Sequence, residues 1–429
     1  MNPSAPPEPA EAPAPSSGGF PWKPAITRGF LAFAIVALAG LAIPVLIDVF
    51  GAGLAGGTVL RLGWLYTLAF HRVGIRFVGV PIRAEIVLAI ALATGTAFAA
   101  WLLYREGRRI AMGTVGPVRS ALAGAAIAPT YALPFLVLTL VVHAHLALLP
   151  LYPEAVRIEG VAWQAFVCPF ALAAVAGGIG GLVDALPSRS IPRAALVAGW
   201  KTLLVGLGGA LVGLLIVAAV RPAGLATYAR VVGDHGPRRA GFLLGHQALL
   251  APNIAIDLLV PSMGGCVALY GEAASYDVLC PGRLPSVDPV DVLRAVDPAS
   301  PGHRALAFSR PMPIGYRLFV LVPLIATIWG GRLAARPFDR WSDRLAAAAA
   351  GGLVFAVAVG VTAWLANLTV RLATPIAFGP RPVPSFALGL AWGVGGGLLG
   401  AALPFRQTPV PEPGLGPDPE PVPPSPTSV

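Results

Sequence analysis

Charge is scarce in this chain: Asp, Glu, Lys and Arg together supply 12% of its 429 residues. A water-soluble globule of that length cannot cover itself with so little polar surface, so that class is excluded. Lysine is nearly missing, occurring only as Lys23 and Lys201, so 28 of the 30 basic residues are arginine. Together with the richness in Ala, Gly and Pro, that bias suggests a high-GC bacterium. Cysteine occurs three times, enough for one disulfide at most. Catalytic signatures are missing as well. There is no GxSxG, HExxH, Walker sequence or pair of catalytic carboxylates, and the GGIGG at 177–181 lies inside an apolar run with no strand before it, unlike a nucleotide loop. The chain therefore does not read as an enzyme, and no catalytic residue, cofactor or metal is expected.

What the sequence has instead is long uncharged runs. Hydrophobic residues make up 56% of it, and its mean hydropathy is +0.75. A bilayer core of roughly 30 Å needs about 20 apolar residues per helix, and runs of that kind recur between Phe30 and Leu403. The expected fold is an all-α, polytopic helical bundle with eight spanning helices near 29–50, 84–104, 120–147, 160–183, 195–220, 315–331, 346–366 and 385–404. Residues 28–404 form this membrane domain. The Pro-rich tails, 1–27 and 405–429, have almost nothing to bury and read as disordered spacers. The net charge of +10 comes largely from arginines in loops beside the spans, where anionic lipid headgroups rather than nucleic acid are the partner. The first apolar segment follows a long Pro-rich stretch and is too long for a signal peptide, so it stays as an anchor.

Two segments do not fit as simple spans. Residues 51–83 are apolar yet carry Arg61, His71, Arg72, Arg76 and Arg83, too many charges for an isolated lipid-facing helix. They read as an interfacial helix around 56–70 followed by an extended turn around 74–82. Residues 240–270 are long enough to cross, but Pro252 removes a helix donor and Asn253 is a turn former. One kinked span and a re-entrant hairpin turning at Pro252–Asn253 both fit. The dense basic loops around Arg105, Arg108, Arg109 and Arg119, and around Arg332, Arg336, Arg340 and Arg344, are expected on the cytoplasmic side. Four spans already separate them, so the hairpin is favoured, with both termini cytoplasmic and an outer segment at 263–313. The hairpin would set His246 opposite Asp257 at membrane depth, making His246, Asn253 and Asp257 a candidate polar site for ions or protons. Alternatively these groups satisfy one another and the freed backbone.

Other polar residues carry less. His143 and His145 would point to opposite sides of a helix and make a poor metal clamp. Asp48 and Asp184 read as interfacial, and Cys168 as a small core residue. Cys266 and Cys280 fall in the outer segment and form a candidate disulfide. Small-residue rows at Gly389, Gly393 and Gly397, at Gly396 and Gly400, and at Gly209 and Gly213 suit close helix contact.

The order of these features carries a resemblance. GWLYTLAFHRVGI after the first span, a span ending in YREGRRIA, then LLAPNIAIDLLVPSMGG and VPLIATIWGG resemble the actinobacterial polytopic membrane family that includes the cell-division protein PerM. The resemblance runs over roughly 28–400 and is marked by Trp64, His71, Arg105, Arg108, Arg109, Pro252 and Asn253. It implies a multi-pass protein of the plasma (inner) membrane that supports division and envelope assembly by holding other membrane proteins, without catalysis. Transport of a small solute or ion through the broken 240–270 segment is the alternative. Inverted repeats would favour transport, and no similarity between the two halves is legible in the sequence.

Overall fold

In hydrocarbon each backbone N–H and C=O must find its partner within the protein, and helices meet that demand segment by segment. The computed structural model describes residues 20–47, 56–78, 86–89, 91–146, 156–220, 236–271, 275–280, 314–371 and 375–403. Among them, seven helices are long and apolar enough to cross a membrane: Trp22–Leu46, Pro117–Val141, Ala162–Ala185, Ile191–Val217, Arg317–Ala335, Trp341–Ala366 and Pro382–Ala402. The chain is a multi-pass membrane protein. Its large outward side chains are apolar, as at Leu140, Val175, Leu215 and Ile325, which suits lipid contact.

The first half runs α1 (Trp22–Ile47), α2 (Gly56–Ala69), β1 (Ile75–Val78), β2 (Ile86–Ala89), α3 (Ala93–Ala111), α4 (Pro117–Ala125), α5 (Ala128–Val141), β3 (Ala144–Leu146), β4 (Val156–Gly160) and α6 (Ala162–Ala185). The second runs α7 (Ile191–Val220), α8 (Gly236–Ser262), β5 (Val267–Gly271), β6 (Ser275–Leu279), a 3-10 turn (Ile314–Val320) leading into α9 (Leu321–Ala335), α10 (Trp341–Ala366), β7 (Leu368–Arg371), β8 (Pro375–Pro380) and α11 (Pro382–Ala402). The two halves repeat one plan. Each has a long helix, a helix running into a strand pair, two helices or helix sets, a second strand pair and a closing helix.

The strands correct the all-α expectation. They form one antiparallel eight-stranded sheet in the order β3-β4-β1-β2-β7-β8-β5-β6, so each half contributes four strands in the same internal order and β2–β7 joins them. Short strands of three to six residues between spans carry too little alternation to read from a sequence dominated by apolar residues. They also shift boundaries. The expected span 84–104 begins with β2, and its helix runs instead over Ala93–Ala111. Arg105, Glu106, Arg108 and Arg109 lie on that helix, which keeps it out of the seven apolar candidates. The 120–147 span ends at Val141 because Ala144–Leu146 is β3. At the N-terminus α1 starts at Trp22, inside the expected 1–27 tail, and Ala25 is fully buried. Residues 1–19 and 404–429, and with them most of both tails, lie outside the described residues, as does 281–313 of the outer segment.

The same contacts recur in both halves at equivalent places. α3 crosses α6 where a Cβ on Gly107 would fall 2.6 Å from the Cα of Gly177, and α9 crosses α11 where a Cβ on Gly331 would fall 2.6 Å from the Cα of Gly397. Three residues further on, Gly180 lies against the backbone of Tyr104 and Arg108, and Gly400 against that of Ile328 and Arg332. The GGIGG run is thus a helix-crossing surface. Around these crossings the first half builds its core from Leu68, Leu103, Ile127, Tyr131 and Phe135, and the second from Leu203, Leu259, Phe355 and Val359.

At these crossings only glycine fits, because any Cβ would displace main chain rather than a flexible side chain. Gly331→Leu is expected to cost about 1–3 kcal/mol by overpacking, read as a lowered midpoint of thermal unfolding in detergent. Gly208→Leu, where an added Cβ meets nothing within 4 Å, should leave stability within about 0.5 kcal/mol of the parent.

Candidate functional site

Pro252 does not break α8. The helix is continuous from Gly236 to Ser262 with Pro252 and Pro261 inside it, so the hairpin turning at Pro252–Asn253 is overturned. The physical reason is that Asn253 bonds to a neighbouring segment instead of turning its own. Its Nδ2 donates to the carbonyl of Ala91 at 2.8 Å, and its Oδ1 accepts from the N–H of Ala93 at 3.0 Å. Thr94 Oγ1 adds a bond to the Leu249 carbonyl at 2.8 Å. Asn253 is buried and serves as the clasp between α8 and the start of α3, where first-turn donors have no intrahelical acceptor.

The chain does reverse direction, ten residues later. After Ser262 the N–H of Gly264 bonds to Pro261 O and that of Gly265 to Val260 O, with Gly264 at φ +94, and β5 leads back into the sheet. α2 ends the same way: Arg72 N–H bonds to Ala69 O, Val73 N–H bonds to Leu68 O, and Arg72 stands at φ +56. The interfacial helix expected at 56–70 is therefore α2, but it is packed into the bundle. A Cβ on Gly63 would fall 2.8 Å from the Cα of Leu41 on α1, and Leu68 is fully buried.

Along a continuous α8, residues 246 and 257 are separated by roughly 16 Å of rise, so His246 and Asp257 are not brought face to face. The side chain of His246 lies outside the described residues. Asp257 Oδ1 is buried and has no hydrogen-bond partner among the described residues, an arrangement that is costly for a carboxyl group. His145 falls in β3, beyond the end of α5. Among the described residues no three His, Cys, Asp or Glu side chains gather as a metal site. Cys266 and Cys280 are joined in a disulfide beside the Val267–Leu279 pairing of β5 and β6, while Cys168 on α6 is a free thiol.

Two buried polar clusters went unread in the sequence. Glu106, the single acid in the run REGRR, is buried on α3 and paired with Arg28 of α1 and, at 2.6 Å, with Arg109 one turn along. A lone carboxylate in a basic run entering an apolar span is the signal that could have found it, since a buried charge requires partners. Arg108 meets Asp184 of α6 at 2.7 Å at the same end of the bundle. The second cluster is His71, whose Nε2 lies 2.7 Å from Tyr131 Oη and whose Nδ1 lies 2.9 Å from the Thr67 carbonyl. With both ring nitrogens engaged and Phe135 packed edge-on 4.5 Å from the ring, His71 fastens α2 to α5 and is not presented to a ligand.

Asn253→Ala leaves Ala91 O and the Ala93 N–H without their partner and should cost about 1–3 kcal/mol, measured as a fall in thermal midpoint. Replacing Cys266 and Cys280 together by serine should remove about 3 kcal/mol, the chain-entropy value for a loop of roughly 15 residues, checked by the same unfolding scan with and without reductant.

Compared with protein-family models, with curated proteins and with solved structures, the chain finds no match.

Proposed function

We propose that this protein is a membrane scaffold that holds division or envelope membrane proteins of the plasma membrane. The observation that carries this reading is the closure of both helix sets at Gly107–Gly177 and Gly331–Gly397. Helix backbones in contact at the same point of each half pack the bundle closely there. The polar groups described above fasten element to element: Asn253 to α3, Glu106 to α1, and His71 to α5. The division and envelope role is drawn from the resemblance to the actinobacterial membrane family that includes the cell-division protein PerM.

A second reading, ion-coupled transport, draws on Asp257 Oδ1, buried without a hydrogen-bond partner. It also draws on two halves of like topology, a plan shared by transporters whose repeats are parallel.

One pair of variants separates these readings in cells depleted of the native chain. Asp257→Asn should support normal growth and septum formation under the scaffold reading, whereas failure of a correctly inserted Asp257→Asn protein would favour transport. Exchange of residues 281–313 for a Gly/Ser linker of equal length spares every described strand and helix. It should abolish co-purification of the septal membrane proteins, and retention of that co-purification together with normal division would overturn the scaffold reading.

A further inference from the structure

Strand pairing sorts the sheet into two chemically different faces. Partners across an antiparallel ladder point the same way, and neighbours along a strand point oppositely. Glu159, Arg76, Val87 and Arg371 form one row through β4, β1, β2 and β7, and Arg157, Thr369 and Tyr270 share their face. The intervening Ile75, Phe77, Leu88, Ile158, Val370 and Phe378 make the opposite face apolar.

Two more arginines reach the polar face from outside the strands. Arg72 Nη2 donates to Thr369 Oγ1 at 3.1 Å and to the Asn367 carbonyl at 3.4 Å, and its guanidinium stacks 4.1 Å from the centre of the Trp364 ring. Arg381, at the start of α11, lies 5.6 Å from the centre of the Tyr270 ring. Arginines 72, 76, 157, 371 and 381 thus share the polar side of the sheet, with Arg72 and Arg371 at the junction of the two halves and Arg157 three strands from β7.

Three independent features point to an anion there. The first is charge. Glu159 is shared by Arg76 at 3.7 Å and Arg157 at 3.1 Å, while Arg72 and Arg371 make no ion pair among the described residues. Asp277 stands on β6, three strands from β7, roughly 14 Å at the usual strand spacing.

The second is backbone strain. The turn after α8 places Gly264 at the left-handed position, but the equivalent turn after α2 places Arg72 there, at φ +56. A side chain in that conformation costs about 1–2 kcal/mol that glycine would not, so the position is using its guanidinium.

The third is depth. Trp364 at the sheet end of α10 and Trp163 at the sheet end of α6 are exposed, as in the aromatic belts that sit at headgroup level. Arg72 is stacked on one of these two rings.

We propose that the polar face around Arg72 and Arg371 binds the phosphate of an anionic phospholipid headgroup. Guanidinium groups present a planar fork that matches phosphate oxygens, and the tryptophan level puts those oxygens within reach. The lipid would bridge β1 and β7 and so join the two halves of the molecule from the outside.

The test uses the full-length chain in neutral detergent, with thermal midpoint followed during titration with phosphatidylglycerol, phosphatidylcholine or inorganic phosphate. Phosphatidylglycerol should raise the midpoint, phosphatidylcholine and inorganic phosphate should not, and Arg371→Gln should raise the half-saturating lipid concentration about tenfold, the loss expected for one charge-assisted contact. Arg336→Gln, an exposed arginine at the opposite end of the bundle, should leave the titration unchanged. Arg72→Gln should behave like Arg371→Gln, and if it does not fold, Arg371→Gln decides. Equal stabilisation by inorganic phosphate would replace the lipid with a soluble anion and overturn the proposal. So would equal stabilisation by phosphatidylcholine, an unchanged Arg371→Gln titration, or an equal loss in Arg336→Gln.

Discussion

Everything in this structure depends on how closely helix backbones can approach. Lipid tails are as apolar as leucine, so burying aliphatic side chains between helices gains little, and association rests on van der Waals contact and interhelical hydrogen bonds. The crossings at Gly107–Gly177 and Gly331–Gly397 supply that contact at the same point of each half. Short connections then follow, because helices held this near their neighbours need only a few residues to turn, as between α6 and α7 or α9 and α10.

Where the helices end, the sheet takes over the demand for hydrogen-bond partners. Four short strand pairs would each be marginal alone. Joined edge to edge, they satisfy one another's backbone groups and, among the described residues, leave β3 and β6 as the outer strands. The β2–β7 junction joins the two halves within the sheet, as the Asn253 clasp does between α8 and α3, and Arg72 reinforces it from α2 to the residues around β7. The asymmetry of the two turns, glycine after α8 and arginine after α2, shows that the repeats share a backbone plan but not side-chain duties.

The polar residues inside the bundle illustrate one rule: a buried polar group is held by its partners. Asn253, expected at a turn, clasps a neighbouring helix start. Pro252 lies inside a continuous α8, next to the tertiary bonds of Leu249 O and Asn253. His71 and Glu106 are similarly engaged on both sides. Asp257 departs from that rule at Oδ1. Trp64, His71, Arg108, Arg109 and Asn253 thus have visible packing or pairing duties in this fold.

By itself the sequence determined the membrane class, the placing of most long helices to within a few residues, a helix near 56–70 and the small-residue rows of the last span. Those features are written in hydrophobic run length and local spacing, which a single segment carries whole. Only the tertiary structure decided the sheet, the repeat, the continuity of α8 and the partners of Glu106 and His71. Each of these depends on pairing between segments far apart in the chain, and short apolar strands or lone polar residues carry no local sign of which distant backbone or side chain will satisfy them.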